Sequence, residues 1–544
     1  MSFVSKLFEG KPDHPMFDVA EAKMLLAKLP NNDALKALGE ITAWLVSVRD
    51  ASGFKPELHA EIIMLLDETG QPHISELLKL YLGEPHLQDF EGLHLWHGLH
   101  DFIKSLSDAY NVCLQELRQV EKPSAALEER LPIICVRAIR AVADQMKIEL
   151  MHYVDIEQVS WKRLFDSYKF AAQNQIDEQL VFAYPRQSLH ISPLRELLRA
   201  LMLHVSSPST LSQDQIELCS RISTRMANSF DFKDGSDPDC PYYIDLDKPC
   251  APEHVLPNLQ RTASMRFFGA TQSIPKISAI ISQHTHDMIQ QEQRFGNEFS
   301  PTGKLTVLRH LLLYWSKDTP HRHQERRAIN TTSEVVHSFS AISKLVTRVD
   351  IDNAKNLSED DAAELKERSA INLTAVVDDA DYATEKWPIT DISLAGLGGV
   401  IPKSAGLWVK IGDLCGLKPE NSPHWWVGTI RRLHTDSTGI VHFGIEILAK
   451  KPLSVWLRTL GKGTENISAW ESSSGSFDYD YLTVILLPDL NNSYANAMIL
   501  MESGGYIPEA IYEVMLGEQS RNIKLTGLLE EGEDFEQISF TWMN

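Results

Sequence analysis

Residues 425–448 read WWVGTIRRLHTDSTGIVHFGIEIL. In the second half Val441, Phe443, Ile445 and Ile447 alternate with His442, Gly444 and Glu446. A period of two marks a strand with one buried face. The first half follows the same rule. Trp426, Gly428 and Ile430 face one way, and Val427, Thr429, Arg431 and Leu433 face the other. Asp436 to Gly439 is a cluster of turn-forming residues, so the two runs read as a hairpin. Strand character extends outward from it. Val335, Val336, Phe339, Ile342, Leu345 and Val346 sit in a strand-like region, and Tyr481–Leu487 and Ala497–Met501 look like further strands. After Pro320 the chain is therefore an antiparallel β region, expected to close as a small barrel.

Two short patterns stand in front of the hairpin. The first is Arg322-His323-Gln324-Glu325-Arg326, with Arg327 adjoining. The second is Asp391-Ile392-Ser393-Leu394-Ala395-Gly396, followed by Leu397, Gly398 and Gly399. Guanidinium is planar and always charged, and it forks onto phosphate oxygens. The same fork fits the O6/N7 edge of guanine, and its face stacks on a base. A carboxylate accepts from the guanine N1 and N2 donors, a serine hydroxyl satisfies a phosphate or a base edge, and glycine admits close backbone approach. Together the patterns describe a guanine-nucleotide site that needs neither metal nor nucleophile. Each residue also has a plain structural use. The arginines can pair with surface acids, Asp391 and Ser393 can cap a turn, and the glycines can serve a sharp bend.

The ordered pair R-x-x-x-R then D-x-S-x-x-G, at the front of a small barrel, resembles the PilZ domain family. Gly412-Asp413-Leu414, Trp426 to Arg432 and Phe443 to Glu446 are similar to its later strands. The resemblance covers residues 318–450 and implies binding of the bacterial second messenger cyclic di-GMP. It implies that Arg322 and Arg326 clamp the ligand with Arg327 as a helper, and that Asp391, Ser393 and Gly396 face the guanine. One feature departs from the family. Arg326 and Asp391 lie 65 positions apart, separated by an acidic insert, residues 350–385, with a polar helix candidate at Ser358–Arg368. The insert reads as a solvated excursion on a barrel loop. Folded across the site, it would oppose a dianionic ligand.

The first 300 residues read mainly as helix. Leu35, Leu38, Ile41 and Leu45 recur at helical spacing behind Asn32 and Asp33. Residues 56–68 repeat the pattern, with Gly70 and Pro72 closing it. Residues 124–150 form a long helix. Ser192-Pro193 opens another, and Ser212 with Gln215 makes a capping box for the next. Residues 231–258 break the pattern, with one strand-like piece at Tyr242–Leu246, and helix returns at Ile274–Arg294 and Lys304–Trp315. The expected architecture is α+β multidomain: an all-α helical bundle or array, then a PilZ-like antiparallel β-barrel. The divisions are 1–300 helical, 301–317 a connecting helix, 318–455 the barrel and 456–544 a β-rich extension, with residues 461–479 linker-like.

Composition narrows the function. A chain of 544 residues exceeds what one core serves. Fifty-two Lys and Arg against 74 Asp and Glu give a net charge of −22, the wrong sign for a general binder of DNA or anionic membranes. The 6 cysteines are scattered without a C-x-x-C pattern, which suits free thiols in a reducing cytoplasm. No secretory h-region or membrane-length apolar run is visible, so a cytoplasmic protein without membrane insertion is expected. His94, His97 and His100 lie three and six apart on one helix, but that spacing splays the outer pair, and packing is the preferred reading over metal. Nucleotide-triphosphatase, hydrolase and metalloprotease signatures are missing. The expectation is thus no catalytic residue, no metal and no cofactor. The resemblance to the PilZ family implies a cyclic-di-GMP receptor, and the expectation is that its barrel relays binding to a helical region that takes a protein partner. By the same resemblance, motility, surface polysaccharide or biofilm would be the regulated process. The alternative is a non-sensing adaptor whose barrel and helices serve as an interaction scaffold.

Overall fold

The computed structural model describes residues 14–30, 32–83, 89–185, 187–284, 295–296, 298–317, 326–353, 384–402, 408–420, 422–459, 481–489, 493–494, 496–516 and 519–543. The chain divides into two compact units, residues 1–321 and 322–544.

The first unit opens with α1 (Val19–Leu26), α2 (Ala34–Asp50), α3 (Pro56–Gly83), α4 (Asp89–Leu117), α5 (Ala125–Met151), α6 (Gln158–Gln173), α7 (Pro193–Val205) and α8 (Gln213–Met226). The caps fall where their residue types put them. Lys36 N–H donates to the Asp33 carboxylate, Arg195 N–H to the Ser192 hydroxyl, and Ser212 N–H to the Gln215 side chain. Helix α5 is buried on most of its circumference and forms the centre of the unit. Three of its charged residues pair with acids on neighbouring helices: Arg137 with Glu68, Arg140 with Glu196, and Lys147 with Glu217.

Two expectations are corrected here. Helix α3 does not stop at Gly70 and Pro72 but runs through both to Gly83. Gly70 is a crossing point, because a Cβ there would collide with the Phe102 ring of α4. Burial against neighbouring helices outweighs the local breaking tendency. The irregular stretch beyond α8 holds a four-stranded sheet rather than one strand. It comprises β1 (Asp231–Lys233), β2 (Tyr242–Asp245), β3 (Lys248–His254) and β4 (Met265–Gly269), in the order β1-β4-β2-β3. Two prolines disguise β3, and the edge position tolerates them. Helices α9 (Ile274–His284) and α10 (Pro301–Tyr314) follow. The first helix expected here was drawn to Arg294, and residues 285–294 lie outside the described residues. Helix α10 is packed into this unit: His310 bonds the Ser206 carbonyl, and the Trp315 indole donates to the Ser206 hydroxyl.

The second unit contains two closed barrels. The first has β5 (Arg327–His337), β6 (Glu385–Ile392), β7 (Gly396–Val400), β8 (Leu414–Pro419), β9 (Trp426–Thr435) and β10 (Val441–Ala449), in the order β10-β7-β6-β5-β8-β9. Between β5 and β6 comes α11 (Phe339–Asn353). The second barrel has β11 (Leu453–Thr459), β12 (Tyr481–Leu487), β13 (Met498–Glu502), β14 (Ile511–Leu516), β15 (Gln519–Glu531) and β16 (Phe535–Trp542), in the order β11-β12-β13-β16-β15-β14. The Ser358–Arg368 helix candidate and the linker-like stretch 461–479 lie outside the described residues.

Two further corrections concern periodicity. Phe339, Ile342 and Val346 belong to α11, not to a strand. They recur at three and four residues and are buried together. Ser338, at φ 73°, makes the left-handed step between strand and helix, and its hydroxyl accepts from Ala341 N–H. In β9 the expected strict alternation fails, because the register with β10 slips between Gly444 and Ile445. Arg432 pairs with Gly444 and Ile430 with Ile445, so Arg431 is extra. This β-bulge turns Arg431 and Arg432 outward consecutively, between buried Ile430 and Leu433.

The two barrels share a core. Val336, Phe339, Ile342, Leu414, Trp425 and Val427 pack in one cluster with Ile485, Leu487, Leu500 and Phe535. Polar links reinforce it. Phe339 N–H donates to Asp534 at 2.6 Å, and Arg431 Nη2 lies 2.6 Å from Glu530 Oε2. Asp413 lies at the same junction, and its carboxyl is pushed up to about 7. Burial is the main cause, opposed by the Lys410 N–H it accepts and reinforced by the negative charges of Glu533 and Asp534. An acid with a raised folded-state pKa lets the unfolded chain ionise first, so stability falls as pH rises from about 4 to about 7. Asp413→Asn should equal the native chain near pH 4 and exceed it by about 1–2 kcal/mol at pH 8. Denaturant melts of both proteins across that range check the sign.

Candidate functional site

Strand pairing brings the two motifs together. Ala328 pairs with Asp391, and Asp391 pairs with Gly398. Arg326 precedes β5 by one residue, and its Nη1 donates to Asp391 Oδ1 at 2.6 Å. Both side chains are partly open to solvent, at 36% and 29% exposure. Such a pair contributes about 0–1 kcal/mol to folding, so a ligand can take over either partner at small cost. The pair lies over bare backbone. A Cβ on Gly398 would stand 2.6 Å from Asp391 Oδ2 and 2.8 Å from Arg326 Nη1, so a side chain there would displace the pair.

The D-x-S-x-x-G segment forms the β6–β7 turn. Ser393 N–H donates to the Gly396 carbonyl at 2.7 Å, and the Ser393 hydroxyl donates to the same oxygen at 3.2 Å. A Cβ on Gly396 would lie 3.0 Å from the Ile445 carbonyl, and Ile447 N–H donates to the Ala395 carbonyl. Ser393 and Gly396 thus hold the turn against β10, one step beyond Asp391.

Arg327 is placed differently. It pairs with Ile392, which pairs with Leu397, which pairs with Ile445, and the last two are buried. That row alternates with the Asp391 row and points the other way. Arg326 and Asp391 are in contact; Arg327 belongs to the opposite row. Arg322 lies outside the described residues.

His97, His100 and His152 form an aromatic cluster around Trp96. Trp96 stacks on His100 at 4.8 Å and packs on His97 and His152, and the Tyr81 hydroxyl is 2.9 Å from His152 Nε2. Burial and the neighbouring His97 and His100 lower the His152 pKa to about 4. Among the described residues no group of three or more His, Cys, Asp or Glu could hold a metal ion, and no helix is long and apolar enough to cross a membrane. The six cysteines are free, five of them buried.

Among the described residues the first unit holds ten α-helices and a four-stranded sheet, and the second holds two six-stranded barrels, one bearing an arginine–carboxylate pair on a glycine floor. Residues 20–238 match the family model described as the N-terminal domain of the cyclic-di-GMP receptor FimW, and residues 470–543 match the FimW C-terminal beta-barrel domain. Both ends of the chain are therefore similar to one family of cyclic-di-GMP receptors. No curated protein matches the chain. The barrel that carries Arg326 and Asp391 lies between the two matched stretches.

Proposed function

We propose that this chain is a cyclic-di-GMP receptor whose ligand site is the PilZ-like barrel of β5–β10. Arg322 and Arg326 clamp the nucleotide, Asp391, Ser393 and Gly396 meet the guanine, and Arg327, exposed in the opposite row, supports them through its positive charge alone. The observation that carries the reading is the 2.6 Å contact between Arg326 and Asp391. Motifs 65 positions apart supply a forked donor and a carboxylate acceptor at one spot. Similarity at both ends to a cyclic-di-GMP receptor family supports the same ligand independently. Calorimetric titration of the full chain with cyclic di-GMP tests it: saturable binding is expected, and no heat of binding at micromolar ligand sinks it.

The ligand acts, in this reading, on the stretch where the second unit begins, since R-x-x-x-R starts at residue 322. Capture there changes how α10 and the start of β5 are held, and a protein partner reads the change through the helical unit. Motility, surface polysaccharide or biofilm is the process regulated. Hydrogen exchange over residues 304–330 should slow or redistribute when ligand saturates the protein. An unaltered profile removes the relay and leaves a binding scaffold.

A further inference from the structure

The site as described uses one side of a longer row. Register pairs Asp391 with Gly398, Gly398 with Gly444, and Gly444 with Arg432. Residues directly opposite across antiparallel strands share a face. These four positions therefore run along the outer side of β6, β7, β10 and β9, half-way round the closed barrel. Three strand spacings, about 14 Å measured along the curved sheet, lead from Asp391 to Arg432. Neither middle position carries a side chain of its own, because both are glycine. Arg326 reaches over this gap from the Asp391 end: a Cβ on Gly444 would lie 3.9 Å from its Nη2 and 3.3 Å from the Arg432 Cβ.

The bulge that turns two arginines outward gives them different fates. Arg431 bonds Glu446 and Glu530. Arg432 is exposed, and among the described residues its guanidinium has no hydrogen-bond or ion-pair partner. On a chain of net charge −22, an arginine facing a paired arginine across bare backbone is left available to an anion.

We propose that Arg432 is a further ligand-holding residue of this site. Its fork takes a phosphate, or the O6/N7 edge of the guanine that lies away from Asp391. The inference rests on the cyclic-di-GMP reading and extends the site from Asp391 and Arg326 round the barrel to Arg432, which borders Gly444 on the side away from Asp391.

The test is calorimetric titration of the full chain with cyclic di-GMP, comparing native protein, Arg432→Ala, Arg432→Lys and Arg326→Ala. Arg432→Ala should bind about 10-fold more weakly or worse and show a shallower salt dependence. Its thermal unfolding should match the native chain, since the side chain has no partner to lose among the described residues. Arg432→Lys keeps the charge but not the fork, so it should recover only part of the affinity; it also decides the matter should the alanine variant misfold. Native affinity in both Arg432 variants, with Arg326→Ala impaired, overturns the inference and leaves the receptor reading standing. A native chain that does not bind the nucleotide removes both.

Discussion

Replacing Arg326 by alanine should weaken cyclic-di-GMP binding by about 1.5–3 kcal/mol, the usual loss for a charged hydrogen-bonding partner, or roughly 10- to 100-fold in affinity. Two features make the effect large. The guanidinium is the one described arginine touching Asp391, and it lies over both Gly398 and Gly444. Alanine therefore removes a donor fork and also a side chain that covers the floor from that end. Folding should be almost untouched, because the Arg326–Asp391 pair is partly solvated. Arg326→Lys separates charge from geometry. An ammonium keeps the attraction to phosphate but loses the planar fork, so intermediate affinity is expected. Calorimetry on the full chain reads the affinities, and a thermal melt checks the fold. Equal affinity in native and alanine proteins would reject the clamp.

What the sequence made legible follows how local each feature is. The β9–β10 hairpin could be read because turn chemistry at Asp436–Gly439 and alternation along Val441–Ile447 agree. The meeting of Arg326 and Asp391 could be read because two motifs of complementary chemistry imply a common ligand. The bulge at Arg431 could not. Alternation assumes an even pleat, and a slip in register is set by the partner strand. With the bulge hidden, Arg432 had no visible relation to Asp391, because their shared row passes through two other strands. The α11 misreading has another origin. Val335 and Val336 end a strand, Phe339 begins a helix, and the two periods overlap within a few residues. Only the positive φ at Ser338 separates them, and serine gives no strong signal of it. The second barrel was half visible. Its β12 and β13 are apolar runs, whereas β15 and β16 carry many polar residues and gain their place from pairing with each other and with β13 and β14.

The shared core between the barrels gives the largest expected stability effect. Phe535 is fully buried at the start of β16 and packs in the cluster that joins α11, β8 and β9 to β12 and β13. Its ring lies against Gly532, where a Cβ would collide with it, and Gly532 N–H donates to the Phe535 carbonyl. The neighbouring Asp534 carboxylate holds Phe339 N–H. The ring is thus fixed from below by a turn and from the side by a helix start, and little can collapse into its place. Phe535→Ala should cost about 3–5 kcal/mol, the range for a buried aromatic that leaves a cavity; Phe535→Leu, which fills much of the volume, should cost far less. Hydrogen exchange of the full chain in mild denaturant resolves the loss by element. Because one cluster serves both barrels, protection should fall in β8 and β9 as well as in β12 and β13. Loss confined to β12–β16 would show that the barrels are stabilised separately, and that the Arg431–Glu530 bridge spans two independent cores rather than fastening the rim of one.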